Sequence, residues 1–139
     1  MWSNKYLCTP FKDKGRDEQG ADCWGLTKIV YRNDLNIDLP DLLGYTNTKD
    51  GKGIKKLFEN ERLKWLKIPE GQEQPYDVAV FSIAGYETHI AIVVKRGWVV
   101  HCLKEKNTIH SDYLREKEWK TALRGFYRHV QRPDIASTV

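Results

Sequence analysis

The sequence predicts an α+β fold, with N-terminal helices packed on a central antiparallel β-sheet. Two observations lead there. In the first half, apolar residues recur at helical spacing, as Leu26, Ile29 and Val30 and again as Ile54, Leu57 and Phe58. Beyond residue 75 the apolar period becomes that of strands. Helices followed by strands is the order of an α+β chain rather than of alternating βαβ units. The 139 residues fit the usual size of one domain, read here as 1–139, and can bury a core without metal or disulfide staples.

Taken in order, residues 1–21 read as irregular, punctuated by Pro10, Gly15 and Gly20. Asp22 is a helix N-cap, and the helix it starts runs from Cys23 to about Arg32, ending near Asn33-Asp34. Leu35–Tyr45, with Pro40 and Gly44, reads as a loop, and Asp50–Arg62 as a second helix. The stretch Pro69–Pro75 is a surface connection. Strands follow over Asp77–Ile83, His89–Val94 and Trp98–Leu103, the last two joined by a turn at Lys95-Arg96-Gly97. A short helix is expected over Asp112–Lys120 and a closing strand over Ala122–His129.

Composition narrows the function. Hydrophobic residues at 40% and charged residues at 30% are those of a globular chain. The longest apolar runs, Val78–Phe81 and Ile90–Val94, are too short to span a bilayer. The net charge of +4 comes without a like-charge block or a nucleic-acid motif, so no nucleic-acid partner is expected. The start, Met1-Trp2-Ser3-Asn4-Lys5, lacks a signal-peptide pattern, so a substrate outside a cell would require another route of delivery.

Of three cysteines, none belongs to a CxxC pair, which argues against a disulfide framework. Cys23 follows the N-cap directly, where unpaired N–H groups and the helix dipole favour a thiolate, the nucleophilic form. A thiol nucleophile needs a base to take and return its proton, and His89, opening an apolar strand, can hold an imidazole rigidly. His101, twelve residues on in the next strand, can orient that base through its other ring nitrogen. A three-residue connection would oppose the two histidines directly, and a two-residue one would offset them by about three positions. Cys23, His89 and His101 are therefore the expected catalytic group. Cys102 should face away from His101 into the core. Cys8 is expected to be incidental, and His110 and His129 to face solvent. A zinc site from Cys23, His89, His101 and Cys102 has the wrong spacing, and no cofactor is expected.

These residues resemble a known family, the NlpC-type cell-wall cysteine peptidases, a compact papain-like group. Asp22-Cys23-Trp24-Gly25-Leu26 looks like the family's D-C-[SW]-G-L nucleophile motif. With Ile29-Val30-Tyr31-Arg32 and Ile37-Asp38-Leu39-Pro40, the Trp form is similar to the branch found in tailed-phage tail tips. Tyr76-Asp77-Val78-Ala79-Val80-Phe81 resembles the family's G-D-[LV]-[VL]-x-F strand, with Tyr76 where the family has Gly. His89-Ile90-Ala91-Ile92 and Val99-Val100-His101-Cys102 resemble the two histidine strands, and Leu123–Arg128 the closing strand of the phage branch.

The resemblance implies a papain-like fold with the nucleophile at a helix N-terminus. It also implies hydrolysis of D-glutamyl–diamino acid bonds in bacterial peptidoglycan, by a virion protein partnered with other tail-tip proteins. It adds Asp22, Phe11 and Trp24 as candidate oxyanion or substrate contacts. Asp17 and Asp22 can bind a substrate amine near the cleft or serve equally as capping and surface residues, and the motif gives Asp22 the greater weight. The family's P-Y pair is Pro10-Phe11 here, so its hydroxyl is missing. The oxyanion would rely on backbone N–H groups such as that of Cys23, or on another tyrosine such as Tyr6. The rival readings are a structural tail-tip protein with little activity and a related amidase or acyltransferase.

Overall fold

In the computed structural model, which describes residues 1–132, helices do precede an antiparallel sheet. A 3-10 turn at Trp2–Tyr6 leads into two short strands, β1 (Arg16–Asp17) and β2 (Gly20–Ala21), within the stretch expected to be irregular. The first helix, α1, runs over Cys23–Val30 and continues through a π turn at Tyr31–Leu35. Asn36 stops it in the left-handed conformation, at φ 55°, with its N–H returned to the Tyr31 carbonyl. The helical path thus ends slightly beyond the expected Asn33-Asp34. The second helix, α2, spans Gly51–Glu61, capped by the Asp50 carboxylate on the Gly53 N–H.

Six strands form one antiparallel sheet in the order β3-β8-β4-β5-β6-β7: β3 (Trp65–Ile68), β4 (Val78–Ile83), β5 (Tyr86–Lys95), β6 (Trp98–Leu103), β7 (Asn107–Asp112) and β8 (Leu123–His129). Sequence periodicity does not reveal β3 or β7. The first is a four-residue edge strand, and the second is polar, Asn107-Thr108-Ile109-His110-Ser111-Asp112, and held by its ladder to β6. The expected helix at Asp112–Lys120 is shorter and later, as α3 (Lys117–Ala122). The Asp112 carboxylate instead accepts the N–H groups of Leu114 and Arg115, at 3.0 Å each, and forms a local turn.

The two sheet faces bury different partners. Ile92, Val94, Val100 and Cys102 pack against Leu26, Ile29 and Val30 of α1. Ala91, Val93, Val99 and Phe81 pack against Trp119 of α3, with Tyr113 and Phe126. Cys102 is buried on the α1 side, away from His101, as strand alternation requires. The start of β4 is anchored by Asp77, fully buried, whose carboxylate pairs with Arg128 at 2.8 Å and with Arg132. Just before it, Tyr76 sits at φ 73°, a conformation that glycine adopts without strain. Its ring stacks on Trp2 at 4.2 Å and its hydroxyl donates to Asp34 at 2.8 Å, contacts a glycine would not make.

Candidate active site

Asp22 fixes where α1 begins. Its Oδ1 accepts the Gly25 N–H at 2.9 Å and a guanidinium N–H of Arg16 at 2.7 Å. Its Oδ2 accepts the Lys14 N–H at 3.1 Å and the hydroxyl of Tyr45. Four donors occupy a buried carboxylate, which leaves no vacancy for a substrate amine. The expected substrate contact at Asp22 is therefore corrected to a structural role. Asp17 accepts the Gln19 N–H in the β1–β2 turn, at 2.9 Å.

The cap places Cys23 in the first turn of α1, half-buried. Its thiol donates to the Thr88 carbonyl at 3.8 Å. Thr88 is the extra residue where β5 slips against β4, between the pairs Phe81–His89 and Ser82–Glu87. Bulges of this kind re-aim groups at the rim of a sheet. Cys23 and His89 wall one cleft together with Trp24, Tyr45, Thr88 and, from α2, Phe58.

His89 is buried, and its Nε2 lies 2.9 Å from Nδ1 of His101. His101 is fully buried and its Nε2 lies 2.8 Å from the hydroxyl of Ser111 on β7. The indole of Trp119 covers both imidazoles, with ring centroids 5.4 Å and 4.7 Å away. Burial pulls the His89 imidazolium down to about 4. Burial, with the charges of His89, His110 and Lys106, pulls His101 down to about 2. Both rings are therefore neutral at pH 7.

The thiol departs from the expectation of a stabilised thiolate. Burial pushes Cys23 up to about 12, and the Asp22 carboxylate adds to the rise. The Ile90 N–H and the Arg16 guanidinium pull the other way and lose. Desolvation of the charge outweighs both of these, so the resting pair is thiol and imidazole.

The other expected contacts divide. Trp24 is buried in the cleft wall, its indole N–H held by the Pro40 carbonyl at 2.8 Å. Phe11 is not in that wall. It bridges to Ala21 in parallel and packs against the α1 core, so its ring is not an oxyanion contact. Tyr6 gives its hydroxyl to Asp34 at 2.7 Å, beyond the far end of α1, and is not the substitute donor. The tyrosine that does reach the cleft is Tyr45, from the segment read as a loop. Arg16 donates to its hydroxyl at 2.8 Å and to the Asp41 carbonyl at 2.8 Å, tying that loop to the helix start. His110 meets Ser3 at 2.7 Å, and His129 is buried edge-on to Trp65 at 4.9 Å, so neither is the solvent-facing residue expected. Ser111 and Tyr45 carry no sequence signal that separates them from other serines and tyrosines. Among the described residues, no group of three or more His, Cys, Asp or Glu side chains is arranged to hold a metal.

A cysteine at a helix N-terminus, set against an imidazole pair on an antiparallel sheet, defines a papain-like α+β architecture. The chain belongs to the NlpC/P60 family, whose model matches residues 8–128. It is similar to the NlpC/p60 domain of the peptidoglycan hydrolase SagA, with a TM-score of 0.64 and 21% identity over 91% of this chain and 92% of that one. It is also similar to a lipoprotein-like NLP/P60 protein of Staphylococcus aureus, with a TM-score of 0.65 and 22% identity over 92% of this chain and 39% of that one. Protein P54 of Enterococcus faecium is 30% identical over 97 residues, 70% of this chain. The chain spans 16% of the length of that relative. No helix among the described residues is long and apolar enough to cross a membrane.

Proposed function

We propose that this chain is a cysteine peptidase of bacterial peptidoglycan, with Cys23 as nucleophile, His89 as base and His101 as the residue that orients it. The observation that carries the reading is the hydrogen-bonded line from His89 through His101 to Ser111, ending in the cleft that holds Cys23. If His101 Nε2–H donates to Ser111, its Nδ1 accepts the Nε2–H of His89. That tautomer leaves His89 Nδ1 as the lone pair free to take a proton. The thiol proton then passes to His89 as sulfur attacks the amide carbonyl. The C–N bond breaks, the amine leaves with that proton, and an acyl-enzyme thioester remains. Water, deprotonated by His89, releases the acid and restores the thiol. The Gly25 N–H of the first turn of α1 is taken by the Asp22 carboxylate, and the N–H of Cys23, which lacks an intrahelical acceptor, serves the oxyanion.

The bond cut is of the D-glutamyl–diamino acid type, and the setting is a phage tail tip that meets the cell wall. Both rest on the D-C-W-G-L motif and the strands that accompany it in the sequence. Digestion of peptidoglycan by the unmodified chain and by Cys23→Ala, read by mass spectrometry of the released muropeptides, tests the reading. Equal product release from both proteins sinks it.

One observation favours a second reading, a tail-tip protein of low activity. Burial raises the Cys23 thiol rather than lowering it. Alkylation of Cys23 at pH 7 no faster than that of a free thiol, with no muropeptide released, would favour it.

A further inference from the structure

Part of the Cys23 cleft is walled by chain without regular structure. Leu42 and Tyr45 line it, from a stretch between α1 and α2 that forms neither helix nor strand. Such a segment keeps a fixed shape only where side chains tie it down. Arg16 supplies the tie. A guanidinium carries five N–H donors, and here all five are used. Two stay beside the start of α1, on the Gly15 carbonyl at 2.9 Å and on Asp22 Oδ1 at 2.7 Å. Three cross to the segment, on the Asp41 carbonyl at 2.8 Å, the Leu42 carbonyl at 3.5 Å and the Tyr45 hydroxyl at 2.8 Å. Tyr45 donates its own hydroxyl hydrogen to Asp22, which closes a ring of three side chains.

The base of this clamp has no slack. A Cβ on Gly25 would collide with the Gly15 carbonyl oxygen, so the chain before Arg16 lies directly against the first turns of α1. The backbone is strained on both sides of the clamp. Lys14, whose N–H reaches Asp22, sits at φ 60°, and Leu42, whose carbonyl takes Arg16, sits at φ 51°. Such conformations cost energy, persist only where the surroundings over-determine them, and cluster at functional sites. Lys28 also reaches the segment, pairing with the Asp41 carboxylate at 3.3 Å, but that carboxylate is exposed and such a pair holds weakly.

We propose that Arg16 is a positioning residue for the thiol chemistry: by clamping residues 41–45 to the start of α1, it fixes the cleft wall against which the substrate peptide lies beside Cys23. This step rests on the peptidase reading. Arg16 acts through Leu42 and Tyr45, which line the cleft, rather than through the substrate. A wall that holds the substrate alike in the ground state and the transition state contributes to KM and not to kcat.

Two variants test the clamp kinetically. Arg16→Lys keeps a cation beside Asp22 but loses the planar fork that spans both segments. Tyr45→Phe keeps the ring in the wall and removes only the hydroxyl. On a muropeptide substrate, Arg16→Lys should raise KM about tenfold with kcat nearly unchanged. Tyr45→Phe should raise KM severalfold, and should add little on top of Arg16→Lys, because the two residues act as one unit. An unchanged KM in Arg16→Lys, a fall in kcat alone, or additive losses in the double variant overturns the proposal.

Limited digestion with thermolysin needs no substrate and reads the clamp directly, since a protease cuts where the chain opens locally. Arg16→Lys should be cut first at Leu42 or Leu43, severalfold faster than the unmodified chain, with α1 intact by mass spectrometry. An unchanged rate, or first cuts within α1, overturns the clamp. Absence of Cys23-dependent muropeptide release sinks the peptidase reading and leaves the thermolysin result to decide the clamp.

Discussion

The β5–β6 register, continued one position past the Ile92–Val100 pair, brings His101 across from Ala91 and not from His89, yet the two imidazoles are hydrogen-bonded at 2.9 Å. The pairs Ile92–Val100 and Val93–Val99 set this register, and Lys95–Trp98 closes it around the two-residue turn Arg96-Gly97. Val94 is the extra residue between them. Without that bulge, the two-residue turn would offset the histidines by three positions and turn them to opposite faces. With it the offset is two, both rings share one face, and the diagonal between them is within reach of long side chains. One bulged valine thus decides whether the two imidazoles can touch.

The relay sets a rank order for activity. His101→Ala should lower kcat about 10²–10³-fold with KM nearly unchanged, because an orienting group acts on the proton transfer rather than on binding. His101→Asn should recover part of the loss, since a carboxamide oxygen can accept from His89. Ser111→Ala should cost about tenfold alone and little more on top of His101→Ala, because residues acting as one unit are non-additive. Steady-state kinetics on a muropeptide substrate checks this, and additive losses would contradict the relay.

Acid should affect rate and stability in the same direction. His89 must be neutral to act as base, and its pKa is lowered by burial to about 4. The acid limb of kcat/KM should therefore lie near 4, below the 6.5 of a free imidazole. Between 6.5 and 4 the unfolded chain binds this proton and the folded chain does not, so stability falls as pH drops through that window. The lowered pKa of His101 extends the fall further into acid. Urea midpoints at pH 7 and pH 5 would show the decline. An acid limb at 6.5 or higher would mean that His89 is not the buried base.

The raised Cys23 thiol has a removable contributor. Asp22→Asn keeps a good N-cap but deletes the carboxylate that pushes the thiol up. The variant should alkylate faster at pH 8 than the unmodified chain, and the midpoint of its rate–pH curve should move down. An unchanged midpoint would assign the whole rise to burial.

Stability should depend strongly on Asp77. This fully buried carboxylate holds Arg128 through two 2.8 Å hydrogen bonds and also pairs with Arg132. Asp77→Ala deprives the buried Arg132 guanidinium of its carboxylate and should cost about 3–5 kcal/mol in urea unfolding. A loss below about 1 kcal/mol, the range of exposed pairs, would show that water relieves the site.

Local chemistry is what the sequence determined. Asp22 as a cap, Cys23 in the first turn of α1, and the alternation that separates His101 from Cys102 follow from rules spanning a few residues. The family motif and the α+β order are legible for the same reason. The tertiary structure decided what depends on distant neighbours. The bulge at Val94 sets the histidine contact, and the ladder to β6 makes a strand of the polar β7 and brings Ser111 to His101. Arg16 draws Tyr45 into the cleft across 29 residues of chain. Burial, a sum over the whole fold, turns the expected thiolate into a thiol, because desolvating the charge outweighs the Ile90 N–H and the Arg16 guanidinium that favour it.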